Sequence, residues 1–221
     1  MSYGLSLVFT FSILIAAVIG GIRFKEIDPA YRPFLILIWV SLINEALSVA
    51  LAYTIRNNTV NNNVFFLIEA ILITWQFKRW KLFNDDNFTY ALLNGILVVA
   101  WITEMSLFGI KTFYSYFIIL HSFVIVLLSI SMINRLITRE NRFLLRQPIF
   151  LICTAFIGYF TFAALTETFW QYGLNENKDF RLRIYHILHY INLFSNLIYA
   201  LAVLWMPTRP KFILPFSSPA L

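Results

Sequence analysis

The chain predicts an all-α fold: a polytopic membrane protein of seven transmembrane helices, with the amino terminus outside and the carboxyl terminus cytoplasmic. Hydrophobic residues make up 60% of its 221 positions and charged residues only 13%, with a mean hydropathy of +0.74, far from the composition of a soluble domain. Seven apolar runs of roughly the twenty residues that a helix needs to cross a bilayer are separated by short charged or Asn-rich breaks. Twelve of the 17 lysines and arginines fall in alternate connections and the tail, which are therefore placed on the cytoplasmic side.

The first run, about 4–22, has no basic stretch before it and no small-x-small cleavage site after it, so it reads as a retained span rather than a signal peptide. The second, about 33–54, opens on Pro33, where a missing amide costs no helical bond. The connection from Arg56 to Asn63 reads as a polar turn, and its Asn57-Asn58-Thr59 is formally a glycosylation acceptor. The third run, about 62–77, is the shortest; the fourth is about 88–107 and the fifth about 113–134. Pro148 opens the sixth, about 148–172, and the seventh, about 181–206, is followed by Pro207. No proline interrupts a span. These lengths leave one membrane domain over 1–221 and no soluble domain. Trp75, Trp80, Trp170 and Trp205 fall near span ends and are expected at the headgroup level. Cys153 is alone, so no intramolecular disulfide forms.

The bilayer is therefore the first partner, and an integral cell (inner) membrane protein is the expected localisation. The net charge of +6 follows from the basic cytoplasmic connections and points to no nucleic acid. Arg135, Arg139, Arg142 and Arg146, with a single acid among them, mark a loop suited to a membrane or cytoplasmic signalling partner.

The informative residues are the polar ones inside the spans. A charge at the centre of a membrane helix costs roughly 2.5–3.5 kcal/mol, so such groups turn toward other helices or a cavity. On the seventh span Tyr185, His189, Asn192, Asn196 and Tyr199 share an arc of roughly 80°. Ser41, Asn44, Glu45 and Ser48 share one face of the second span, and Asn62, Glu69 and Gln76 recur every seven residues on the third. The simplest assembly gathers Glu45, Glu69, His121 and His189, with Asn44, Asn192 and Asn196, around one outward-facing pocket. Glu167, Tyr114 and Tyr185 form a second tier, and Glu104 is set aside as interfacial.

Three uses fit such residues. The expectation that leads is small-molecule or ion binding and sensing, passed to a separate partner. A metal-dependent intramembrane hydrolase acting on a lipid-like substrate is the alternative, with His121, His186 and His189 holding zinc and a Glu activating water; haem between His121 and His189 is another cofactor that histidines on separate helices allow. A structural subunit of a membrane complex would use the same groups as interhelical glue. The histidine pair on the last of seven spans is similar, at the level of the site alone, to the alkaline ceramidase and adiponectin-receptor superfamily. That resemblance implies metal-dependent hydrolysis, although His186 and His189 are three apart rather than four and His121 lies in the fifth span rather than an early one. Retinal is excluded, because the seventh span has no lysine to form a Schiff base.

Overall fold

The computed structural model of the protein describes residues 3–84, 86–139, 144–172 and 178–208; the side chains of Arg139 and Tyr185, all of Arg142, and the tail from 209 lie outside the described residues. Eight α-helical segments make up the described fold: α1 (Tyr3–Thr10), α2 (Ile13–Arg23), α3 (Arg32–Thr54), α4 (Thr59–Arg79), α5 (Asn87–Phe108), α6 (Ser115–Arg139), α7 (Pro148–Tyr172) and α8 (Lys178–Trp205). The all-α expectation holds.

Five of the seven expected spans lie in helices long and apolar enough to cross a membrane: Pro29–Thr54, Asn87–Phe108, Ser115–Thr138, Pro148–Tyr172 and His186–Trp205. Leu7–Arg23 is a shorter apolar helix, and it is not continuous. At Phe11 and Ser12 the backbone passes through three-residue turns, Ser12 N to Phe9 O (3.3 Å) and Leu14 N to Phe11 O (3.0 Å), while Ser12 Oγ also donates to Phe9 O at 2.6 Å. A serine that competes for its own helix's carbonyls is a sufficient cause for the break.

The remaining segment, α4, has ample length at 21 residues but carries Asn61, Asn62, Asn63, Glu69, Gln76, Lys78 and Arg79. It begins three residues before the sequence boundary, because the asparagines expected in a turn are helical and spend their side chains on neighbouring elements. Asn61 Nδ2 donates to Asn44 Oδ1 (2.7 Å) and Ser48 Oγ (2.9 Å), and Ser48 Oγ donates to Asn62 Oδ1 (2.8 Å). Val60, Val64, Ile68, Ile71 and Trp75 form a single exposed apolar stripe on the other side of α4.

Helices adjacent in sequence pack together from α2 to α8, α4 also touches α6, and α8 returns to α1 and α2, so the first and last helices adjoin. Outward-facing Leu14, Val18, Ile43, Leu92, Val99, Leu127, Phe194 and Leu201 are apolar, which is the surface a bilayer requires. The larger core joins Phe34, Ile38, Ile73, Phe77, Ile152, Phe156, Phe160, Ala202 and Val203; a smaller one holds Ala70, Leu97, Tyr114 and Phe117. Trp80 belongs to the larger core rather than to an interface, with its indole edge-on to Tyr31 (6.1 Å) and Phe77 (5.6 Å).

Polar side chains fix the helix ends. Gln76 accepts from Phe34 N (2.8 Å) and donates to Ala30 O (2.7 Å), tying the start of α3 to α4. The Arg23 guanidinium donates to the carbonyls of Val203, Leu204 and Met206 at the end of α8, and Asp28 N donates to Pro207 O at 3.0 Å. Gly109 ends α5 in the left-handed region at φ 77°, which a glycine adopts without steric cost.

Asp86 caps α5, accepting from Phe88 N (2.9 Å), Thr89 N (3.2 Å) and Thr89 Oγ1 (2.5 Å). The Thr89 hydroxyl first, then the two amides, hold its carboxyl below its ordinary value of 3.8. A depressed folded-state value means that the cap's contribution is complete above pH 3.8 and is lost as pH falls through the lower folded value. Asp86→Ala should therefore speed amide exchange at Phe88 and Thr89 at neutral pH and abolish its acid dependence.

Candidate functional site

A cavity of about 50 Å³ lies between α3, α4, α7 and α8, with Thr10 and Ile13 closing it at the α1–α2 break. Helical spacing explains which residues reach it. Leu37, Ser41 and Glu45 recur every fourth residue along α3, and Asn192, Ser195, Asn196 and Tyr199 share one face of α8. Phe65 and Glu69 face it from α4, and Phe156, Tyr159 and Phe160 from α7. Phe34 and Phe156 pack edge-on to Tyr199 at 5.3 and 5.9 Å, giving this wall a rigid aromatic base. Asn196 donates to Ser12 Oγ at 2.9 Å, linking α8 to the helix break.

Two carboxylates from different helices, Glu45 and Glu69, thus line one small hollow. Behind Glu69 stands His121 of α6, only 1% exposed, with Nε2 at 3.5 Å from Glu69 Oε2. Its Nδ1 lies 3.2 Å from Phe117 O, a carbonyl that accepts a hydrogen bond from the tautomer protonated at Nδ1. Nε2 makes no hydrogen bond. Phe117 stacks on the ring at 5.3 Å and Phe160 meets it edge-on at 5.4 Å. With Glu69 and these rings around it, His121 has no open face for haem iron.

Of the residues that the sequence groups together, the structure brings Glu45, Glu69, Asn192 and Asn196 to this cavity, with His121 directly behind it. Asn44 does not reach it; its side chain binds Asn61 in the α3–α4 clasp. His189 is half-buried one turn along α8 from Asn192 and does not line the cavity. Among the described residues no group of three or more His, Cys, Asp or Glu is placed to hold a metal ion, so the zinc set His121, His186 and His189 is not assembled. Tyr185 has no described side chain. Tyr114 is buried against Trp101 at 5.7 Å, in the smaller core.

Glu167 and Glu104 serve the start of α6 instead. Glu167 Oε2 accepts from Ser115 Oγ (2.7 Å), and the Glu104 oxygens accept from Tyr116 N (3.1 Å) and Phe117 N (2.6 Å). Negative groups at a helix amino terminus satisfy its free amides and its dipole. Glu104, close to the end of α5, is consequently buried within the fold.

Sequence reasoning misses Asn63, which is fully buried and bonds the Ile110 and Thr112 carbonyls (3.1 and 2.7 Å) and Tyr114 N (3.2 Å). It also misses Thr10, Phe65 and Ser195 at the cavity. Ser195 shares the α8 face of Asn192, Asn196 and Tyr199, so helical spacing is a signal for it; nothing in the sequence points to Thr10, which lies beside the helix break. Of the basic loop, Arg135 donates to the Lys81 and Leu82 carbonyls and so binds its own chain, and Arg146 is exposed beside Trp205.

No protein-family model matches the chain, and neither a curated protein nor a solved structure matches it significantly.

Proposed function

We propose that this protein binds a proton or a small cation at the Glu45–Glu69–His121 cavity and responds by shifting its helices. One observation carries the reading: carboxylates from two helices face a single hollow at membrane depth, with an imidazole in line behind one of them. Charges there cannot borrow water's screening, so two carboxylates sharing a cavity require compensating positive charge. The size of the hollow selects what supplies it. Organic ligands occupy roughly 300–1,000 Å³, whereas about 50 Å³ is room for an ion or a few waters.

The break at Phe11–Ser12 supplies an element able to respond, since Thr10 and Ile13 wall the cavity on either side of it. In this reading the chain crosses the bilayer of the cell membrane seven times, amino terminus outside, with α4 turning its apolar stripe to lipid and its polar groups to α3, α5 and α6. The exposed Arg146 beside Trp205 is the surface through which a partner reads the state.

Infrared difference spectroscopy on protein in nanodiscs tests this. A carboxyl band that responds to a pH step or to added alkali or alkaline-earth cation is expected, strongly reduced in Glu45→Gln and in Glu69→Gln. A response to pH alone identifies the proton, and one that needs the salt identifies the cation. Identical difference spectra from wild type and both variants would sink the proposal.

A further inference from the structure

A second hollow, about 590 Å³, opens on the lipid-facing side between α6 and α7. Its walls are Ile119, Leu120, Phe123 and Val126 on α6 and Phe160, Thr161, Ala164 and Thr168 on α7. Tyr116 and Tyr172, at the beginning of α6 and the end of α7, form an exposed rim at one end. From Tyr116 to Val126 the groove runs ten residues, roughly 15 Å.

Ser122 lines this groove and is 0% exposed, yet its Oγ has no hydrogen-bond partner. Most other hydroxyls on these two helices are bonded. Ser129, Ser131 and Thr138 on α6, and Thr154, Thr166 and Thr168 on α7, each donate to the carbonyl four residues back. Ser122 has the same option at Ile118 O and does not take it. A buried hydroxyl left without a partner is costly, and the cost disappears when a ligand oxygen accepts from it.

We infer that the α6–α7 groove seats one chain of a bilayer lipid, with a carbonyl or hydroxyl oxygen of that lipid accepting a hydrogen bond from Ser122 Oγ and its polar end toward Tyr116 and Tyr172. The walls are mostly apolar, as an acyl chain requires, and tyrosines at the rim suit the headgroup level. Phe160 gives the seat its significance. The same ring lines the carboxylate cavity on its other side and touches His121, so a chain in the groove bears on the wall of the polar site. The seat itself stands on its own geometry and does not require that the cavity bind a cation.

Photo-crosslinking with a phospholipid carrying a diazirine on its acyl chain, in nanodiscs, reads the seat directly. Label is expected to concentrate on residues 116–126 and 160–172. Ser122→Ala, which preserves packing, should lower it about fivefold, the worth of one hydrogen bond. Ala164→Phe should fill the groove and abolish it, while Leu92→Phe on the lipid-facing side of α5 leaves it unchanged. Label spread evenly over the lipid-facing helices, or a groove signal indifferent to Ser122→Ala, overturns the inference. An unaltered infrared response to cation or pH in Ser122→Ala beside lost label would separate this seat from the cavity's own function.

Discussion

Asn63→Ala should destabilise the protein by about 2–5 kcal/mol in detergent, because three backbone groups lose their partner at once. The Asn63 carboxamide alone answers the carbonyls of Ile110 and Thr112 and the amide of Tyr114, and so holds the connection between α5 and α6 against α4. Three bonds go together, the one to the Tyr114 amide a buried one, which is why the expected loss exceeds the usual value for one interhelical bond. Asn62→Ala is the internal control. Asn62 gives up a single bond to Ser48, worth about 0.6 kcal/mol in a membrane bundle. Thermal unfolding of the two variants side by side decides the point, and equal losses would mean that the 109–114 connection is not held through Asn63.

Phe156→Ala should cost about 3–5 kcal/mol. This ring is 1% exposed and packs against Phe34 (6.1 Å), Phe77 (6.3 Å), Phe160 (5.8 Å) and Tyr199 (5.9 Å). Within a bilayer, burying a phenylalanine gains nothing from leaving water, so the loss measures packing alone. The matched substitution is Phe194→Ala, at a ring 63% exposed to the lipid-facing surface, where acyl chains fill the space and the change should be close to zero. Similar unfolding temperatures for the two variants would contradict the packing account. Phe156 also lines the carboxylate cavity, so its removal enlarges that hollow and should weaken selectivity in the infrared response.

The all-α character and most helix limits were legible because they depend on local rules. Pro33 and Pro148 sit in the first turns of α3 and α7, and the span read as 148–172 coincides with α7. What the sequence hides is where a polar side chain spends its hydrogen bonds. Asn44 and Glu45 are neighbours on one helix, yet Asn44 goes to α4 and Glu45 to the cavity. The position of Glu104 near a span end does not reveal its partners; the turn at Gly109 carries the chain back so that its carboxylate meets the first amides of α6. The histidines show the same limit. Face and depth alone put His189 beside His121, whereas His189 falls outside the hollow that Asn192 and Asn196 line. The third span was hardest to delimit because α4 inverts the usual pattern, hiding its polar residues and showing a narrow apolar stripe.

The Arg23 guanidinium holds three carbonyls at the far end of the polypeptide, and Asp28 reaches Pro207. During biosynthesis that arginine emerges some 180 residues before the acceptors it will hold. Until then its guanidinium lacks these three acceptors, and the side of α2 that packs on α8 stays uncovered. Quality control that recognises an unmet cation beside the membrane would find its target on this chain up to the moment α8 arrives.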